Sequence, residues 1–288
     1  MKTKIILSFW CIIGCASNTF GQYGYAGINL GYGMGLPTNS IGASTKADFT
    51  GTTYTLEKGT FGQGLNIGIS GGFMFNENIG AELGISYLMG SKKDFNTSTY
   101  SMDTSSFSIS QTNGTVTLDK IKMIRINPAL KITFGDEVKP YIRFGVILGL
   151  GTGYSRTDES TTMTTGLFGD TVSLQSVIEY SGGSSFGFNS AVGVDFTLSD
   201  NLVLFGELSF TSLSWSPTKG TITKLIYDGI DQTALAIAGS LEAEYVDSYT
   251  KLNITGIPGV PTSNQSLKTY LPFSSFGINV GVMFTFGK

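Results

Sequence analysis

Apolar residues occupy alternate positions in eight separate stretches of this chain, and the positions between them hold mainly Gly, Asn and Ser. In the first stretch Ala26, Ile28, Leu30, Tyr32, Met34 and Leu36 alternate with Gly27, Asn29, Gly31, Gly33 and Gly35. The pattern returns at 61–75, 79–89, 124–134, 142–151, 186–198, 202–211 and 275–286. Successive side chains of a β-strand point to opposite faces, so a period of two predicts strands with one apolar face and one small or polar face. The seventh stretch departs from strict contrast, because Val203 and Phe205 fall in line with Glu207 on the polar face.

The connections alternate between two lengths. Asn76 to Asn78, Gly135 to Lys139 and Ser199 to Asn201 are short and built from turn-forming residues. Between them lie long polar segments at about 37–60, 91–120, 152–184 and 216–273. A soluble β-sandwich also alternates, but its outer face is usually charged. Here only 14% of residues are charged, against about 25% for a typical soluble domain. No internal run reaches the 18 apolar residues of a spanning helix. In lipid every backbone N–H and C=O must be paired internally, which leaves the closed, edge-free sheet.

These observations predict an all-β fold: a transmembrane antiparallel up-and-down β-barrel of eight strands, with short periplasmic turns and long extracellular loops. Residues 221–227 and 234–246 are also strand-like, and a further hairpin there would make ten. They read better as strand extensions or a loop hairpin; a helical turn at Ala234 to Ala238 is the other option.

The N-terminus reads as an export address. Lys2 and Lys4 precede the apolar run Ile5 to Gly14, and Thr19 and Gly21 suit a peptidase site. This divides the chain into a signal peptide at 1–21 and a barrel domain at 22–288. A second reading makes Ile12-Ile13-Gly14-Cys15 a lipidation box with Cys15 as the first residue. Removal of the leader takes the formal charge from −3 to −5 and removes both cysteines, Cys11 and Cys15. Neither charge value supplies the basic stripe that nucleic acid requires.

Alternation, the rhythm of short turns and long loops, and the final strand together resemble the small OmpA/OmpX-like outer-membrane β-barrel family. The hairpin Phe75-Asn76-Glu77-Asn78-Ile79 echoes Leu198-Ser199-Asp200-Asn201-Leu202, a repetition typical of that family. The last strand, with Phe284 and Phe286, looks like the C-terminal signal by which such chains are recognised for insertion, although Gly287 and Lys288 follow it. The resemblance implies a cell outer-membrane location, contact with lipid and with barrel-insertion machinery, no cofactor and no enzyme activity.

Six ionisable residues fall on the inward face: Glu82, Arg125, Lys131, Arg143, Asp195 and Glu207. Charges in a narrow lumen are tolerable only when paired and hydrogen-bonded. Counting residues from the nearest short turn puts Glu82, Lys131, Arg143 and Asp195 at one depth, Glu207 slightly higher and Arg125 higher still. The expected partners are Glu82 with Lys131 and Arg143 with Asp195. Such a network either plugs the lumen or lines an ion path, and an eight-stranded barrel is about filled by its own side chains.

Histidine is absent, which excludes a Ser-His-Asp site and His-based metal ligation. Acidic residues in the long segments are scattered without calcium-loop spacing. The function expected is therefore structural, or a surface contact with envelope or surface protein partners through the long loops. A narrow channel or transporter for small solutes or apolar molecules is the alternative.

Overall fold

A computed structural model describes residues 23–36, 39–103, 108–135, 138–165, 169–235, 241–249 and 264–287. The proposed signal peptide at 1–21, with Cys11 and Cys15, lies outside these residues. Eight of the strands are β1 (Tyr23–Gly35), β2 (Gly64–Met74), β3 (Ile79–Gly90), β4 (Ser108–Thr133), β5 (Val138–Thr165), β6 (Ser185–Ser199), β7 (Leu202–Trp215) and β8 (Ser275–Phe286). Each pairs antiparallel with its sequence neighbours, and β8 returns to β1 from Gly24↔Phe286 to Gly35↔Ser275. The eight therefore close a ring, and each carries most of one of the alternating stretches read from the sequence, except that Phe61, expected on the apolar face of the second, lies before β2 and is buried.

The two faces separate as the alternation requires. Ile28, Leu30, Ile69, Phe188, Val192 and Phe284 stand exposed on the outside. Glu82, Arg125, Lys131, Asn189, Glu207 and Ser209 are buried inside. Val203 and Phe205, which break the contrast in the seventh stretch, also point inward and are buried.

The three short connections lie at one end of the ring, and two of them are tied down in the same way. Asn78 donates its amide to the Thr133 carbonyl at 2.9 Å, and the Thr133 hydroxyl donates to the Glu77 carbonyl at 2.9 Å. Asn201 donates to the Thr285 carbonyl at 2.9 Å, and the Thr285 hydroxyl to the Asp200 carbonyl at 3.3 Å. The sequence echo between these hairpins is thus repeated in hydrogen bonds, with β1–β4 and β5–β8 as the two halves.

At the other end the sheet continues beyond the ring, where long loops were expected. Residues 109–119 of β4 pair with 155–165 of β5. Strand Lys93–Asp103 joins β4, strand Asp170–Ser181 joins β5, and Lys219–Tyr227 joins Asp170–Ser181. The last of these contains the strand-like 221–227, which adds to this extension and not to the ring. Residues 242–246 pair at its edge, and Thr233–Leu235 form one 3-10 turn.

The extension escapes a pattern reading because it is rich in Thr and Ser on both faces. Its strands form from β-branched residues and cross-strand hydroxyl pairs. Thr112 with Thr162 at 2.8 Å and Ser110 with Thr164 at 3.1 Å are two of these pairs. The change from ring to extension falls at a bulge between Asp119 and Lys122, where Lys120 takes a φ of 50°. An extra residue in one strand bends it and re-aims a side chain. Here Ile121 is buried in the apolar cluster over the lumen.

Candidate functional site in the barrel lumen

The lumen is layered along its length. At the short-turn end Tyr25, Met74, Val203, Phe205 and Met283 form an apolar floor. Next comes a charged layer. Lys131 Nζ lies 2.7 Å from Asp195 Oδ2, and the Lys131 ammonium sits 4.1 Å from the centre of the Tyr141 ring. Arg143 reaches two carboxylates at once, with Nη1 2.7 Å from Glu82 Oε1 and Nη2 2.7 Å from Glu207 Oε1.

Both glutamates receive a second bond from a tyrosine. Tyr25 donates to Glu82 Oε2 at 2.9 Å, and Tyr141 donates to Glu207 Oε2 at 2.9 Å. The two arrangements are copies of one device. Tyr25 on β1 is in register with Gly72 on β2, which is in register with Glu82 on β3. Tyr141 on β5, Gly193 on β6 and Glu207 on β7 repeat the order. Each tyrosine lies across the glycine of the middle strand to reach the glutamate beyond. A Cβ on Gly72 would stand 2.3 Å from the Tyr25 ring, and one on Gly193 would stand 2.5 Å from the Tyr141 ring. The middle residue must therefore lack a side chain. Arg143 serves the glutamates of both halves with one guanidinium.

Above this layer is a polar cavity of about 70 Å³, bordered by Arg125, Arg143, Asn66, Asn127, Glu207 and Asn279 among others. Asn279 bridges Glu207 Oε1 at 2.9 Å and Ser209 Oγ at 3.0 Å. Arg125 donates from Nη1 to Asn66 Oδ1 at 3.1 Å.

A lid of apolar side chains covers the cavity: Phe61, Leu88, Met123, Ile147, Leu213, Trp215 and Phe273. Phe61 and Phe273 come from the ends of the long segments and are fastened by backbone bonds. Phe61 N–H donates to the Pro272 carbonyl and Phe273 N–H to the Leu213 carbonyl, both at 2.8 Å. The Trp215 indole donates to the Gly182 carbonyl at 2.9 Å. Beyond the lid a recess of about 320 Å³ is walled by Tyr154, Tyr180 and Tyr245, with Tyr154 and Tyr180 stacked at 4.7 Å. Burial raises the phenols of Tyr154 and Tyr180, the latter to about 12, so the recess presents neutral rings. A wider polar cleft of about 1150 Å³ lies within the extension.

Of the six inward charges, five meet in one layer and Arg125 stands apart from them. The pairings differ from those expected by depth. Lys131 takes Asp195 in place of Glu82, and Arg143 takes Glu82 and Glu207 in place of Asp195. Strand tilt and stagger are the reason. Glu82 is in register with Ala129, two residues from Lys131, and Asp195 is in register with Lys139, four residues from Arg143. Counting from the nearest turn ignores that stagger. Tyr25 and Tyr141 were not singled out by sequence, although each stands two positions from inward-facing residues of its own strand. Phe284 and Phe286 lie on the exposed outer face, on the strand that closes the ring.

The model of the outer membrane protein β-barrel domain family matches residues 11–237. The chain belongs to this family. Its place is accordingly the outer membrane. Among solved structures the chain is similar to OprG from Pseudomonas aeruginosa, with 12% identity over 95% of this chain and 99% of that one and a TM-score of 0.39. It is also similar to Ail, the attachment invasion locus protein of Yersinia pestis, solved with the heparin analogue sucrose octasulfate. There the identity is 11% over 91% of this chain and 99% of that one, with a TM-score of 0.32. No curated protein sequence matches the chain.

Proposed function

We propose that the protein is a non-enzymatic outer-membrane barrel that crosses the bilayer with eight strands, closes its own lumen and presents an extracellular sheet for surface contacts. In this orientation the three short turns are periplasmic and the extension stands outside the cell. The supporting observation is the stacking of floor, charged layer and lid across the full lumen section. Its side chains are tied by hydrogen bonds of 2.7–2.9 Å across the charged layer and by backbone bonds at the lid. A concave space of about 1150 Å³ belongs to the extension, where a partner approaching from outside meets it first. The rigid stem then serves to hold that sheet in a fixed geometry for a surface or envelope protein partner.

Conductance across planar bilayers tests the closed lumen. The refolded protein is expected to show no steady single-channel current. Steady current that changes with Glu82→Ala or Arg143→Ala would overturn the reading.

The competing function, a narrow channel or transporter for small solutes or apolar molecules, draws on one specific feature. The aromatic recess sits directly over the lid, and its about 320 Å³ falls within the range of small-molecule pockets. Uptake of a small apolar probe into vesicles carrying the protein, absent from empty vesicles, would favour that function.

A further inference from the structure

We infer that the cavity beside Arg125 is a binding site for a small inorganic anion of the halide class. Arg125 is 4% exposed. Its one partner is the neutral amide oxygen of Asn66, while Nε and Nη2 have none among the described residues. A buried cation without a counter-charge is heavily penalised in a low-dielectric interior. The lumen carboxylates do not supply that charge. Glu82 and Glu207 each spend one oxygen on Arg143 and the other on a tyrosine. Asp195 faces the floor beside Lys131, in a separate small void.

The cavity supplies what a small anion needs. Arg143 Nε also lacks a partner, and its side chain lines the same space together with Asn127, whose Oδ1 likewise has none among the described residues. Ser70, Ser86 and Ser209 add hydroxyls that can rotate to donate. Glu207, the one carboxylate on the wall, has both oxygens engaged. The volume admits about two to four water-sized guests, and lid and floor shut out anything larger. A monovalent ion such as chloride fits that space, with water filling the remainder. Such a site fixes the charge of the upper lumen whether or not the barrel conducts, so it stands independently of the proposed function.

Crystals of the refolded protein grown in bromide provide the direct test. An anomalous peak in the cavity beside Arg125 is expected. In parallel, the thermal unfolding midpoint is read against chloride, with gluconate holding ionic strength constant. The wild type should show a saturable rise with halide, and Arg125→Met should lose it. A cavity containing only water, together with a halide-independent midpoint in the wild type, would overturn the site. Both wild-type measurements decide the matter even where Arg125→Met fails to fold.

Discussion

Arg143→Met removes the guanidinium that bridges Glu82 and Glu207, one glutamate from each half of the barrel. The charged layer contains Glu82, Glu207 and Asp195 against Arg143 and Lys131, a net charge of −1 that the substitution makes −2. Removing one partner of a buried ion pair costs roughly 3–5 kcal/mol, mostly because the other charge stays buried without compensation. Two carboxylates lose their partner here, but Tyr25, Tyr141 and Asn279 continue to donate to them. We therefore expect a loss of about 5 kcal/mol, the upper end of that range. The triple variant Glu82→Gln, Arg143→Met, Glu207→Gln removes all three charges and keeps oxygens that accept from the tyrosines. It should recover most of the loss, since neutral replacement of a buried pair is often neutral or stabilising. Urea unfolding from lipid vesicles, followed by Trp215 fluorescence, measures both. With a slope of roughly 2 kcal/mol per molar, the single variant should unfold about 2 M or more earlier. A loss under about 1 kcal/mol, with no difference between single and triple variants, would refute the reasoning. The lumen would then be hydrating its carboxylates as bulk solvent does.

The glycine positions give a paired test. Gly72→Ala or Gly193→Ala drives a methyl into a tyrosine ring and should cost about 1–3 kcal/mol. Gly206→Ala meets nothing within 4 Å and should change stability by under about 0.5 kcal/mol, all three being read by the same urea titration. With residues 1–21 removed, Trp215 is the sole tryptophan; buried within the lid, it should emit at short wavelength and resist acrylamide, and an exposed emission would show the lid open. At the turn joining the antiparallel pair Asn39–Asp48 and Gly51–Gly59, Asp48 is held below its ordinary value of 3.8 by the Thr50 hydroxyl and amide and by the Gly51 amide. Its contribution is full above pH 3.8 and is lost as pH falls through the lowered value, so protection of the Thr50 and Gly51 amides relative to intrinsic exchange should fall there, and Asp48→Ala should remove that step. Phe286→Ala should slow assembly of the heat-modifiable form in cells carrying the insertion machinery, while leaving unassisted refolding into detergent near the wild-type rate; equal slowing of both would remove the signal role.

The ring was readable in sequence because its strands are asked to solve two solvents at once. Ile28, Leu30 and Ile69 face outward where lipid is, and Gly27, Asn29 and Gly68 face a crowded lumen, so alternation is sharp. The extension faces water on at least part of both sides, and nothing forces contrast on Thr112, Thr162 or Ser110. Its strands are specified by pairing with β4 and β5, which composition does not show. The lid was hidden for a related reason. Phe61 and Phe273 leave the regular strands and turn over the lumen, where period-two reasoning stops applying.

The inward charges illustrate a sharper division between what one strand reveals and what the ring decides. Alternation assigns each charge to a face, but partnership depends on stagger between strands. Lys131 and Arg143 are direct register neighbours with like charge, an arrangement unfavourable on a flat sheet. In the closed ring each turns away, Lys131 to β6 and Arg143 to β3 and β7, so every ion pair in the layer skips one strand. Beside Glu207 the skipped position is Gly193, the glycine crossed by Tyr141, whereas beside Glu82 it is Ala129 on β4. The echo of the two short hairpins was the one sequence sign of this order, because it marks the halves that the Tyr-Gly-Glu arrangement repeats. Arg143 has no counterpart in the other half, where Gly27 stands two residues beyond Tyr25. A second arginine there would crowd a site that Gly27 leaves closed by Met283 and the Val282 carbonyl. The repeat is therefore broken at Gly27, where a side chain would meet Met283 and the Val282 carbonyl.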